Sequence, residues 1–312
     1  MKRVFVSGSQ SHRTRGLKTC LAALLLLALF VPSAWSQLNW EGQTGALVTP
    51  FAYTSPSKTD GVGHPQISFH YLNTGPVIGN DFQISGTIGL FKIVEVGYTR
   101  ALSSEGSDTN PEAPLSSLFT GGFNIFHGKV NLVPENAGKN NFIPAISVGF
   151  VARTQVQRVY GTTTTPKTNQ NDGDIYLVGT KTITQVKGLP IVLNAGVKGT
   201  NAVIMGIAGN AGDVNGNSAW VARAFGAVGF VLPGPAKSKL VVGSEAAQQP
   251  HYLYKVPGPT IPTTLTYFLR VLPPGKIPIN FDLGVVQAAG NIADGVDLKA
   301  RHQVGMGISY RF

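Results

Sequence analysis

The chain has 312 residues with 25 Lys+Arg against 15 Asp+Glu, 13% charged residues and 38 glycines. Its longest apolar run, Cys20 to Val31, falls short of the roughly 20 residues a membrane-crossing helix needs, and no Lys/Arg cluster interleaved with aromatics suggests nucleic acid. Cys20 is the only cysteine, which excludes a disulfide framework or a cysteine zinc site, and the scattered histidines match no metal-binding spacing.

The first 36 residues read as a secretory signal peptide. Lys2, Arg3, Arg13, Arg15 and Lys18 form a positive region without acids, the apolar run follows, and Ala34 and Ser36 place small residues at the −3 and −1 positions of a cut between Ser36 and Gln37. Without this leader the chain keeps 20 basic against 15 acidic residues, so much of its basic character belongs to the leader. Residues 37–63, with Trp40-Glu41-Gly42-Gln43-Thr44-Gly45 and a Ser/Pro/Gly-rich spacer, lack strand periodicity; they predict a segment lying in the periplasm or in a barrel lumen.

From about residue 66 the apolar period is two, the signature of strands with one face toward each environment. Ile67, Phe69 and Tyr71 alternate with Gln66, Ser68 and His70. Phe82, Ile84 and Ile88 alternate with Gln83, Ser85 and Thr87, and Val94, Val96 and Tyr98 with Glu95, Gly97 and Thr99. A fourth strand over about 117–132 sets Phe119, Phe123 and Ile125 on one side. The fifth opposes Phe142, Ile146, Val148 and Phe150 to Ser147, Gly149 and Arg153; a less regular sixth lies near 174–185.

The seventh strand opposes Ile191, Leu193, Ala195 and Val197 to Val192, Asn194, Gly196 and Lys198. The eighth carries Trp220, Val228 and Phe230 outward with Arg223 inward, and the ninth opposes Leu240 and Val242 to Lys239, Val241 and Glu245. In the tenth, Leu265, Tyr267, Leu269 and Val271 face away from Thr266, Phe268 and Arg270. In the eleventh, Ile279, Phe281, Leu283 and Val285 face away from Asn280, Asp282 and Gly284. The last strand ends the chain, with Val304, Met306, Ile308, Tyr310 and Phe312 opposite Gln303, Gly305, Gly307, Ser309 and Arg311.

A spanning β-structure must close, because lipid offers no partner to an open edge. The prediction is an all-β transmembrane antiparallel barrel over residues 64–312, with about 12 strands within a range of 10 to 14. Connections at 74–80, 102–115, 156–173, 200–217, 250–261 and 290–299 would be extracellular, and the shorter alternate turns periplasmic. Ala202 to Ile207 is apolar enough to fold inside.

The closing Tyr310-Arg311-Phe312 resembles the C-terminal aromatic-x-Phe signal read by the bacterial outer-membrane insertion machinery, with Tyr310 and Phe312 as its aromatic pair. Trp40-Glu41-Gly42-Gln43-Thr44-Gly45 with Thr49-Pro50, Leu90-Phe91 ahead of Glu95-Val96-Gly97-Tyr98, Gly243-Ser244-Glu245 ahead of Gln249-Pro250, and Asp282-Leu283-Gly284 ahead of Asn291-Ile292-Ala293 resemble a domain-of-unknown-function family of proteobacterial outer-membrane barrels. The resemblance implies a Gram-negative outer-membrane location and brings no activity. Ala246-Ala247 departs from the family pattern after the glutamate.

Function is then expected from the lumen. Glu95, Arg153, Lys198, Arg223, Glu245, Arg270, Asp282 and Arg311 fall on the inward phase, where charge is tolerated, whereas a lipid-facing Arg or Lys near the midplane costs about 2–4 kcal/mol. Mixed signs fit a channel or transporter for small hydrophilic solutes; they equally fit a closed barrel with a structural or envelope-assembly role. A membrane-embedded hydrolase is the third class, and no Gly-x-Ser-x-Gly elbow supports it. No catalytic residue, cofactor or metal is expected, and the partners are the outer-membrane lipid, the insertion machinery and small solutes.

Overall fold

The structure, a computed structural model, describes residues 37–104, 106–107, 122–154, 157–158, 168–169, 171–186, 188–207, 209–212, 217–253, 256–274, 278–289 and 302–312. The leader, Ser36, Phe119 and most of the expected loops 102–115, 156–173 and 290–299 lie outside the described residues.

Twelve strands form a closed barrel. They are β1 (Gln66–Asn73), β2 (Asn80–Leu90), β3 (Val94–Ser104), β4 (Phe123–Val133), β5 (Ala145–Thr154) and β6 (Asp172–Ile183), then β7 (Ile191–Thr200), β8 (Val221–Pro233), β9 (Lys239–Ala247), β10 (Thr263–Leu272), β11 (Ile279–Ala289) and β12 (Gln303–Arg311). Each pairs antiparallel with its neighbours in sequence, and β12 returns to β1 with Ile67 opposite Tyr310 and Phe69 opposite Ile308. No edge is left open.

The alternation resolves into two opposite environments. Ile67, Phe69, Phe126, Phe150, Ile175, Leu193, Tyr267, Phe281, Leu283 and Met306 are exposed on the outside. On the inside, Ser68, His70, Gln83, Ser85, Thr99, Lys129, Ser147, Arg153, Thr266 and Arg270 are buried. Apolar outside and polar inside reverses the soluble arrangement and suits only a lipid surround. No described helix is long and apolar enough to cross a membrane; the strands cross instead.

Two details differ from the simple pattern. Phe123 and Ile125 share a face, but it is the inner one, at 2% and 0% exposure. The interior there is filled by protein and not by water, so the inward phase accepts apolar side chains. Phe142, expected in the fifth strand, precedes β5 and is 86% exposed.

The β2–β3 turn sets Phe91 and Lys92 at φ 55° and 62°, a left-handed pairing that matches strand twist but disfavours residues other than glycine. It is held from outside the hairpin: Phe91 N donates to Gly61 O at 3.0 Å and Lys92 N to Ser57 Oγ at 2.7 Å. The segment leading into β1 therefore runs along this end of the wall.

Leu283 is 52% exposed on the lipid face of β11. Leu283→Arg is expected to lower unfolding free energy by about 2–4 kcal/mol, read from urea titrations in lipid vesicles, whereas Leu283→Val should change it by less than about 1.5 kcal/mol.

Candidate functional site: the filled interior

Residues 37–52 enter the barrel and stay there. Leu38, Trp40, Ala46, Leu47, Phe51 and Ala52 are at most 2% exposed, and so are Gln37, Asn39, Gln43, Thr44 and Thr49. The segment has no helix or ladder of its own, so its N–H and C=O groups need other partners. Some it finds internally: Asn39 Oδ1 accepts from Glu41 N and Gln43 N at 3.0 and 2.9 Å, and Trp40 N donates to Leu47 O at 2.8 Å. The barrel wall supplies much of the remainder.

Carboxylates on the wall accept from the segment's donors. Glu245 of β9 takes Leu47 N at 2.9 Å, Val48 N at 3.0 Å, Thr49 N at 2.6 Å and Thr49 Oγ1 at 2.7 Å. Glu95 of β3 takes Thr44 N at 2.9 Å, Ser55 N at 2.7 Å and the Thr44 hydroxyl. Cations on the wall donate to its carbonyls. Arg270 of β10 reaches Gly45 O and Ala46 O at 3.0 and 3.1 Å while its Nε holds Asp282 at 2.8 Å. Lys129 of β4 reaches Thr44 O and Phe51 O at 3.0 and 3.1 Å and pairs with Glu95 at 3.1 Å.

A third cluster lies nearer the long connections. Arg153 of β5, fully buried, pairs with Glu41 of the segment and with Asp172 and Asp174 of β6, the latter two at 3.1 and 2.8 Å. Lys198 of β7 stands 3.6 Å from Asp174. Neutral side chains complete the lining: Thr99 donates to Glu41 O, Asn194 to Pro50 O, and Asn131 to Ala52 O.

Close approach replaces hydrogen bonding at one point. Gly42 has φ +85°, and a Cβ there would lie 2.5 Å from Thr99 Oγ1, so only glycine fits between the segment and β3. From the opposite end, Ala202, Val203, Met205 and Ile207 are buried, and Gly206 packs on the Arg153 side chain. A cavity of about 20 Å³ remains beside Glu41, Asp174, Tyr176 and Lys198, room for a single water.

At the end with the short turns the chain leaves past Tyr53, whose hydroxyl donates to Glu135 at 2.8 Å. Burial and that neighbouring carboxylate push the phenol above its ordinary range, so it remains a donor.

Of the residues singled out from sequence, Glu95, Arg153, Lys198, Glu245, Arg270 and Asp282 meet the inserted segment or its ion pairs directly. Arg223 lies apart, donating from Nε to Gln249 O at 2.7 Å. Arg311 is half-buried on the inner phase at the opposite end of the wall. Tyr310 and Phe312 are outside, ring centroids 4.8 Å apart, and exposed. Gln37 is enclosed, donating to Asp282 at 2.6 Å. The described residues contain no cluster suited to a metal.

Four partners were not legible beforehand. Glu41 sits in an aperiodic stretch, which has no phase. Asp172 and Asp174 fall where a Thr/Asn-rich loop gives way to an irregular strand. Lys129 shares its parity with Phe123 and Ile125, the apolar residues that obscured it.

A model of a family described as proteins of unknown function, DUF3034, matches residues 36–264. The chain belongs to this family. No curated protein matches it. Among solved structures, the DUF3034 chain is similar to an outer-membrane channel of Pseudomonas putida F1, at 8% identity and TM-score 0.46, with 85% of this chain and 100% of that one covered. It is also similar to the β domain of the Bordetella autotransporter BrkA, at 12% identity and TM-score 0.42, covering 81% and 100%. A third match is outer-membrane phospholipase A of Escherichia coli, at 9% identity and TM-score 0.34, covering 79% and 92%.

Truncating Arg153 to Ala strands three carboxylates around one vacated site. The expected loss is about 3–5 kcal/mol of unfolding free energy. Glu245→Ala leaves the Leu47, Val48 and Thr49 donors unpaired, and Glu245→Gln, which restores one acceptor, should recover part of the loss. Urea unfolding followed by tryptophan fluorescence measures both.

Proposed function

We propose that the protein is an outer-membrane barrel, exported after cleavage at Ser36, that is shut at rest by residues 37–52 and conducts small hydrophilic solutes when that segment moves aside. The observation that carries this reading is the chemistry of the wall behind the segment. Glu95, Lys129, Arg153, Glu245, Arg270 and Asp282 are all buried there. In the filled state they pair the segment's backbone and one another. The same groups would line the lumen once it fills with water, where opposed charges select solutes by charge and size. The buried Thr87 hydroxyl, 3.4 Å from His127 Nε2, donates to Gly42 O of the segment and not to a base, and the reading is non-enzymatic.

The closed barrel with an envelope-assembly role is the competing reading, favoured by the number of wall strands that hold the segment. Planar-bilayer recording separates the two. The chain from Gln37 should be nearly silent. Glu245→Ala combined with Arg270→Ala, shown to be folded by heat-modifiable migration, should produce discrete conductance steps, and charge reversal at Arg223 should shift their ion selectivity. A folded double variant whose segment has become protease-sensitive, yet which stays silent, would establish the structural role instead.

A further inference from the structure

One cation stands outside the scheme of inward charges. Arg100 belongs to the outward phase of β3, with Val96, Tyr98 and Leu102, of which the three are 39%, 42% and 43% exposed. Its cross-strand neighbours are Ile84 of β2 and Asn124 of β4. Nη1 donates to Asn124 Oδ1 at 3.1 Å, an oxygen that also accepts from Tyr98 Oη at 2.8 Å. Among the described residues no carboxylate forms an ion pair with Arg100, whereas inside the barrel Arg153 has three and Arg270 has Asp282. Nε and Nη2 have no acceptor among the described residues.

A guanidinium facing lipid without a counter-charge is costly near the midplane, and the cost falls toward the interface. Arg100 lies in the half of the wall nearer the long connections, six residues beyond Val94 and four short of Ser104. Aromatic pairs flank it: Tyr98 with Phe126 at 5.2 Å and Tyr71 with Phe82 at 5.1 Å. Aromatics gather at membrane interfaces, and Tyr71 and Phe82 lie on the rim side of Arg100. Further toward the rim on the same outer face, beyond Phe82 and Leu102, Tyr71 Oη and Asn73 Nδ2 both donate to Asn80 Oδ1, at 2.8 and 3.1 Å, so the rim above the guanidinium is polar. The free edge of an Arg fork, a nearby belt of aromatics and a rim of amides match a phosphate carried on a polar, sugar-like headgroup.

We infer that the outer face of β1–β4 binds a phosphorylated glycolipid of the outer leaflet, with Arg100 holding its phosphate and Asn124 and Tyr98 fixing the guanidinium. This site is independent of whether the lumen conducts. The test uses the full chain from Gln37 in nanodiscs of phosphatidylcholine, titrated with bisphosphorylated lipid A or with the same lipid after dephosphorylation, and read by native mass spectrometry. The phosphorylated lipid should bind at least about tenfold more tightly, the scale of one charge-assisted contact. Arg100→Gln should abolish that difference and Arg100→Lys should keep part of it. Lys181→Gln, near the opposite rim, should leave it unchanged. Equal binding of both lipids, an Arg100→Gln variant that still discriminates, or full competition by millimolar inorganic phosphate would each overturn the assignment.

Discussion

The structure rests on one constraint: an irregular stretch of backbone lies inside a closed barrel, where each unpaired N–H or C=O is expensive. Residues 37–52 have few regular partners, so the wall supplies them from side chains. The division is by sign. Glu245 accepts from three consecutive N–H groups and Glu95 from those of Thr44 and Ser55, while Lys129 and Arg270 donate to carbonyls. Buried ion pairs elsewhere often serve only each other; here the same groups also hold the segment. Glu245 is the clearest case, a buried carboxylate that has no cation within ion-pairing distance among the described residues and is held by four donors of one short stretch.

Such an interior is specific. A polar filling leaves groups that water can solvate. The two ends differ: the loop containing Gly206 covers the Arg153 cluster from the end with long connections, while residues 53–63 lead out at the end with short turns, tied by Gly63 N to Gly89 O and by Phe91 N to Gly61 O. The segment is tied to the wall on the side where its chain continues into β1.

Much of the barrel was legible because strand periodicity carries phase. Once alternation identified Ile279, Phe281 and Leu283 as one face, Asp282 had to point the other way, and it does. The same reasoning located Arg153 and Arg270 without a structure. Phase says nothing about what fills the lumen, however. Trp40 through Thr49 has neither a period of two nor of 3.6, so its choice of the interior follows from long-range pairs such as Leu47 with Glu245 that no local pattern encodes. Arg100 illustrates the converse: parity places it outside, against its charge, and the exception becomes informative only once its neighbours are seen to lack a carboxylate.

The most direct test of the account asks whether the segment lies inside. The chain from Gln37 contains no cysteine, so Ala46→Cys, at a position with 0% exposure, introduces a single thiol. In folded barrels reconstituted in vesicles, that thiol should resist a small water-soluble maleimide and become reactive on unfolding, whereas Phe142→Cys, exposed at the surface, should react at once. An Ala46→Cys thiol labelled as fast as the Phe142→Cys control in the folded protein would contradict a filled interior and the reading built on it.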